Sequence, residues 1–257
     1  MKKILGIIVL LLAFAGCNKI DKDSFRISGQ LNNGESKSLY FLEMTGQGLM
    51  PIDTIEIDEK GKFSFDYKYK EPSIYVLMGN ENDYITLIPQ KQEDIIISGS
   101  FNSLSSTYTV KNSKESELLH QLNQQYIKTN TVLAEIKQTL YENKYVSNFE
   151  EFKAELLDQY NMLEIHQKDI IRKFIKDNKG SLSCIIALYR SFDNHYLFNL
   201  NKDLSIYEEV YAELNKKYPN NKHTIGLKNL IDDAKTKAAQ DSISTQTKEL
   251  ANRNDKK

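Results

Sequence analysis

The sequence is poor in cysteine, with Cys17 and Cys184 as its two thiols. It has no Cys-x-x-Cys, which excludes dithiol exchange within this chain. If Cys17 is set aside, Cys184 stands alone and no internal disulfide framework exists. Net charge is equally scant: 34 Lys plus Arg against 35 Asp plus Glu leave −1. Without a basic field, nucleic acid is not an expected partner. A Gly-rich phosphate loop is missing, and no order of Ser, His and Asp suits a catalytic triad. His120, His166, His195 and His223 lack the close spacing of a metal pair. The expectation is therefore no enzyme activity of its own, no cofactor and no metal. Tryptophan is absent, whereas Tyr is 15 and Phe 11. Such tyrosine usage suits strands and helix interfaces, where the ring is buried and the hydroxyl stays wet.

Long apolar runs are scarce too, and the clearest lies at the start. Lys2 and Lys3 precede the uncharged residues 4–15, and Phe14, Ala15 and Gly16 stand before Cys17. A charged start, an apolar core and small residues at a cut site mark residues 1–16 as a secretory signal peptide. The run falls short of the roughly 20 residues that a membrane-spanning helix needs. Its ending resembles the lipobox of bacterial lipoproteins, with Phe14 in place of the usual Leu. That resemblance implies lipidation of Cys17, attachment to the membrane through that lipid, and a place in the cell envelope at the outer membrane. Residues 17–24, polar and charged, follow as a lipidated tether.

From Phe25 the apolar period is two. Phe25, Ile27, Gly29 and Leu31 alternate with polar residues, and runs at 39–44, 51–57, 62–69, 73–78, 84–88, 94–98 and 107–110 follow between turn signals. Residues 62–69 are the plainest: Phe63, Phe65, Tyr67 and Tyr69 share one face, and Lys62, Ser64, Asp66 and Lys68 the other. One buried and one wet face argue for an antiparallel sheet. About eight short strands without intervening helices predict a β-sandwich or partly open barrel over 25–112.

After Asn112 the period becomes 3.6. Leu119, Leu122, Tyr126, Thr129, Leu133, Ile136 and Leu140 form a heptad seam, started by Ser113 with Ser116 and Glu117 as a capped N-terminus. Residues 143–148 break it. Phe149, Phe152, Leu156, Tyr160, Leu163, Ile170 and Phe174 mark a second long helix, and the two predict a helical hairpin. A short apolar helix over 182–192, a loop over 193–203, a helix over 204–218 and a fifth from about Thr224, using Ile225, Leu230, Ile231 and Ala234, complete a helical domain over 113–239. Residues 240–257 are polar and read as a fraying helix or disordered tail. The fold class is α+β, strands first and helices after.

The opening strand FRISGQL and the hairpin IDTIEIDEKGKFSFDY, together with the lipobox, resemble a domain of unknown function found in envelope lipoproteins of Bacteroidetes-type bacteria. Its motif falls here on Asp53, Asp58, Gly61, Phe63 and Phe65. In that family the domain precedes a thioredoxin-like redox domain. The resemblance implies an accessory β module, and without Cys-x-x-Cys the dithiol chemistry does not carry over.

Each candidate residue has a structural reading. Asp58 is placed to accept turn amides, with Gly61 at positive φ, and Asp66 lies on a wet face. Asp53, Asp58 and Asp66 meeting as acid and base is the alternative. Cys184, a candidate thiol near a helix N-terminus, sits among Leu182, Ile185, Ile186 and Leu188 and reads as a small buried hydrophobe. His166 shares a stripe with Leu163 and Ile170, which puts it at a helix interface. His195, beside Asp193 and Tyr196, is the histidine best placed for a general base. The reading that results is a non-catalytic, envelope-anchored binding or scaffolding module for a protein partner. The alternatives are an accessory of a thiol–disulfide system and a ligand-capturing lipoprotein of an uptake system.

Overall fold

The computed structural model describes residues 19–80 and 82–254, with side chains described as far as Asp241. The expected signal peptide, the lipobox and Cys17 lie outside the described residues. The strand half comprises β1 (Ser24–Asn32), β2 (Ser38–Thr45), β3 (Gly48–Glu56), β4 (Lys62–Lys68), β5 (Tyr75–Asn80), β6 (Asp83–Leu87), β7 (Asp94–Ser100), the short helix α1 (Leu104–Thr107) and β8 (Thr109–Lys111). They form two four-stranded sheets, ordered β4-β1-β7-β8 and β3-β2-β5-β6, and no closed barrel. Facing residues of both sheets, among them Phe25, Ile27, Phe41, Leu77, Ile95 and Ile97, make one buried core. The Phe41 ring stacks on Tyr75 at 5.1 Å, and Phe65 and Tyr67 meet Phe41 edge-on at 5.0 and 5.3 Å. The alternating face of β4 therefore points inward, as its period requires.

The sheets are not wholly antiparallel. β1 pairs antiparallel with β4 but parallel with β7, Ile27 opposite Ile95. Alternation tells which face is wet, not which way a neighbour runs. The chain leaves β1, builds β4 and all four strands of the other sheet, and returns beside β1 in the same direction. That parallel contact is tight. A Cβ at Gly29 would stand 2.0 Å from the Ile97 carbonyl oxygen and 3.1 Å from the Phe63 ring.

The helical half begins with α2 (Lys114–Glu142) and α3 (Phe149–Asp177), each of 29 residues. Leu119, Leu122, Thr129, Leu133 and Ile136 are buried along α2, so the heptad seam is its inner face. Ser113 occupies the N-cap position, but its hydroxyl donates to Ser116 Oγ at 2.8 Å instead of capping an amide. Ser116 in turn accepts the Ile88 amide at 3.0 Å, tying α2 to the end of β6. On α3 the buried residues are Leu156, Gln167, Ile171 and Ile175. His166, expected at the helix interface, is exposed, and Gln167 is buried in its place. Positions 166 and 167 lie three and four residues after Leu163, so both flank its stripe, and packing seats the second of them. Thr129 donates to the Gln167 side-chain oxygen across the seam, a polar pair that fixes register.

The next helix, α4 (Ser183–Leu188), ends sooner than expected. β9 (Ser191–Phe192) and β10 (His195–Tyr196) then form a small antiparallel ladder where a helix end and a loop were expected, with Asp193 at φ 54° in the turn. α5 (Leu204–Lys217) and α6 (Lys222–Asn254) complete the chain. α6 seats Leu227, Ile231 and Ala234, whereas Ile225, expected inside, is exposed. Its backbone stays helical through the expected tail as far as Asn254. The helical core also takes in Ile74 and Ile88 from the strand half, so the two halves share a packed boundary. No helix among the described residues is long and apolar enough to cross a membrane.

Candidate functional site

The three acids of the strand half do not converge. Asp58 Oδ1 accepts the Lys60 and Lys62 amides, both at 2.8 Å. Those two hydrogen bonds, Lys62 first, hold its carboxyl below the usual range. Gly61 follows at φ +74°, and its carbonyl accepts the Leu31 amide at 2.8 Å. Asp53 lies exposed on β3 in the other sheet and accepts the Thr54 amide at 2.8 Å. Asp66 is held by Arg26 through two bonds of 2.6 and 2.9 Å. Phe63 is buried and Phe65 packs on the same core. These positions build a tight turn and not the expected hairpin: the turn carries the chain from β3 in one sheet to β4 in the other, and the two strands do not pair. Among the described residues no group of three or more His, Cys, Asp or Glu could hold a metal ion.

Cys184 is buried on α4, and its Sγ donates to the Asn178 carbonyl at 3.2 Å. Burial, then the charge of Glu115, pushes its pKa up to about 12, and a helix of six residues offers little dipole to oppose that. His195 is half-exposed, with Nε2 3.3 Å from Glu164, which also pairs with Lys168 at 3.1 Å. Asp193 pairs with Lys137. This is a surface ion network that joins α2, α3 and the small ladder. His120 meets the Tyr108 ring edge-on at 4.7 Å.

A constellation that sequence reading missed lies at the boundary of the halves. Ser73 donates to Glu43 Oε1 at 2.7 Å and stands 3.1 Å from His223 Nε2. Lys222 pairs with the same Glu43, and Asn221 reaches Glu71 at 2.9 Å and the Pro72 carbonyl at 2.7 Å. It has the members of a Ser-His-Glu triad in the wrong order. The serine proton goes to the carboxylate, so the histidine is the donor to Ser73 and not its base. Ser73 is also wholly buried. With about 150 residues between partners, no local signal could have found this clamp.

A cavity of about 460 Å³ opens between β6, α1, α2 and α4. Tyr84, Tyr108, Tyr126, Tyr189 and Arg190 contribute to its wall. The Arg190 guanidinium lies 5.0 Å from the Tyr126 ring centroid. Its Nε is buried with no hydrogen-bond partner, and no carboxylate pairs with it among the described residues. Burial lowers its pKa, opposed by the neighbouring phenols Tyr126, Tyr108 and Tyr84. The nearby acid Asp83 is committed, taking the Leu104 and Ser105 amides at 2.6 and 2.7 Å.

On the outside of the α2–α3 hairpin, large apolar side chains stand in solvent. Tyr145 is 88% exposed, Met162 71%, Tyr141 65%, Ile165 60% and Leu157 54%.

No curated protein and no solved structure matches the chain. Residues 25–119, the strand half with the first turns of α2, match the family described as Domain of unknown function (DUF4369).

Proposed function

We propose that this chain is an envelope lipoprotein, held in the outer membrane by lipid on Cys17, whose folded part is a non-catalytic binding or scaffolding module for another envelope protein. What supports this is the exterior of the helical hairpin. Tyr141 and Tyr145 lie at its far end and Leu157, Met162 and Ile165 along α3. Isolated exposed apolar residues are ordinary, but a set of this size on one projecting element is the usual mark of an interaction surface. Covering each aliphatic side chain contributes about 1.5–3 kcal/mol, and tyrosines are favoured anchors at interfaces. The buried thiol, and His195 held against Glu164, lend no support to the redox reading.

A photoactivatable residue at Tyr145 or Met162 tests it in intact cells, with Lys60 in the β3–β4 turn as the control position. Discrete adducts to one envelope protein are expected from 145 and 162 and not from 60, with Cys17→Ala reducing them sharply. Adduct patterns identical at all three positions contradict the proposal. A thioredoxin-like protein as the captured partner makes the chain an accessory of a thiol–disulfide system.

A further inference from the structure

We propose that the cavity between β6, α1, α2 and α4 is a binding site for a small organic carboxylate, with Arg190 as its anchor. A guanidinium buried against tyrosine rings is costly unless its donors are used, and Arg190 Nε has no partner. Among the described residues no acid lines the cavity: Asp83, in sequence between the lining residues Asn82 and Tyr84, spends both oxygens on the backbone of α1. A cation–π contact with Tyr126 accounts for one face of the guanidinium and leaves its edge free.

The free edge selects the ligand. Nε is itself closed off, so the two Nη groups at the tip are the ones left for a ligand, and they form a planar fork that matches the two oxygens of a carboxylate. One fixed positive charge balances one negative charge. A phosphate would bring close to two charges and a third oxygen, for which the wall offers no second cation. A neutral oxygen could accept a hydrogen bond from the guanidinium but would leave its charge unbalanced.

The rest of the cavity sets the size and character of the ligand's body. About 460 Å³ lies in the range of small-molecule sites. Asn82, Asn130 and Ser106 offer polar groups, while Ile85, Leu119 and Ile186 form apolar wall. Asn123 is already engaged, donating to the Ser105 carbonyl at 2.8 Å, and so stiffens that wall. A ring with polar edges and flat apolar faces suits such a lining. This site is separate from the hairpin exterior, so neither reading depends on the other.

The test uses the full chain purified in detergent and labelled with nitrogen-15. Arg26, Arg172, Arg190 and Arg253 are the arginines of the sequence, so the guanidinium Nε–H spectrum is sparse and the other three serve as internal references. Sodium D-glucuronate and sodium benzoate are titrated at constant ionic strength against glucose, benzyl alcohol and inorganic phosphate. The expected result is a saturable shift of the Arg190 signal with at least one carboxylate, and none with its neutral counterpart. Arg190→Gln is expected to weaken that carboxylate at least tenfold. Absence of a saturable shift with both carboxylates at tens of millimolar overturns the proposal. Tighter binding of phosphate than of either carboxylate, or equal binding of the neutral counterparts, overturns it as well. The titration of the unaltered chain decides the matter even if Arg190→Gln does not fold.

Discussion

Gly29→Ala is expected to destabilise the protein by about 3 kcal/mol or more, near the upper end of what overpacking a single methyl does. Gly29 lies in β1 with β4 on one side and β7 on the other, opposite Phe63 and Ile97. A methyl group there would sit 2.0 Å from the Ile97 carbonyl oxygen. That neighbour is backbone, so no rotamer change relieves the clash, and either the parallel ladder parts or the strand kinks. Gly46→Ala is the control. It sits in the β2–β3 turn with nothing within 4 Å of an added Cβ, and its cost should stay within about 0.5 kcal/mol. Urea midpoints at equal m-value measure both. A Gly29→Ala protein as stable as Gly46→Ala would mean that β1 and β7 are not paired in this register.

Acid should weaken the same protein through His223. Burial, then the charge of Lys222, brings its pKa from 6.5 down to about 4, against a smaller opposing effect of Glu43. The unfolded chain therefore takes up a proton first as pH falls. The stabilisation is fully present above about pH 6.5, shrinks through the interval below it, and is gone by about pH 4. By linkage the loss is about 2 kcal/mol at pH 5 and about 3 kcal/mol at pH 4. Glu43 acts in the same direction at the lower end. Burial favours its neutral form, yet hydrogen bonds from Lys222 and Ser73 hold its pKa below the ordinary value, so its contribution also fades in acid. His223→Gln should be less stable at pH 7 but should flatten the slope between pH 6.5 and 4. Parallel stability profiles for parent and variant would contradict a buried, neutral His223.

Much of the architecture could be read from local pattern. The two faces of residues 62–69 require Phe63 and Phe65 inside. The Asp58–Gly61 turn needs both a side-chain acceptor and positive φ, and has both. The α2 seam names its own buried residues. What escaped was set by tertiary geometry. Nothing in β1 or β7 announces a parallel pairing. On α3, neighbouring apolar pairs such as Ile170 with Ile171 and Phe174 with Ile175 make two faces almost equally apolar. Packing against α2 and α4 selected Ile171 and Ile175. The Ser73–His223 clamp and the Arg190 cavity join residues far apart in sequence. The cavity alone has a local hint, an arginine directly after an apolar run, Ala187-Leu188-Tyr189-Arg190, and that arginine is partly buried where a surface charge would stand fully in water.

Cys184 offers the most direct check on the proposal of a binding module without thiol chemistry. In a Cys17→Ala protein it is the sole thiol. With its pKa raised from 9 to about 12, its thiolate fraction near neutral pH is roughly a thousandfold below that of a free cysteine. Burial slows attack further. Modification by an aromatic disulfide reagent should follow urea unfolding, negligible in the native range and rapid beyond the midpoint. A native-state rate approaching that of free cysteine would contradict the account and return thiol–disulfide exchange to first place.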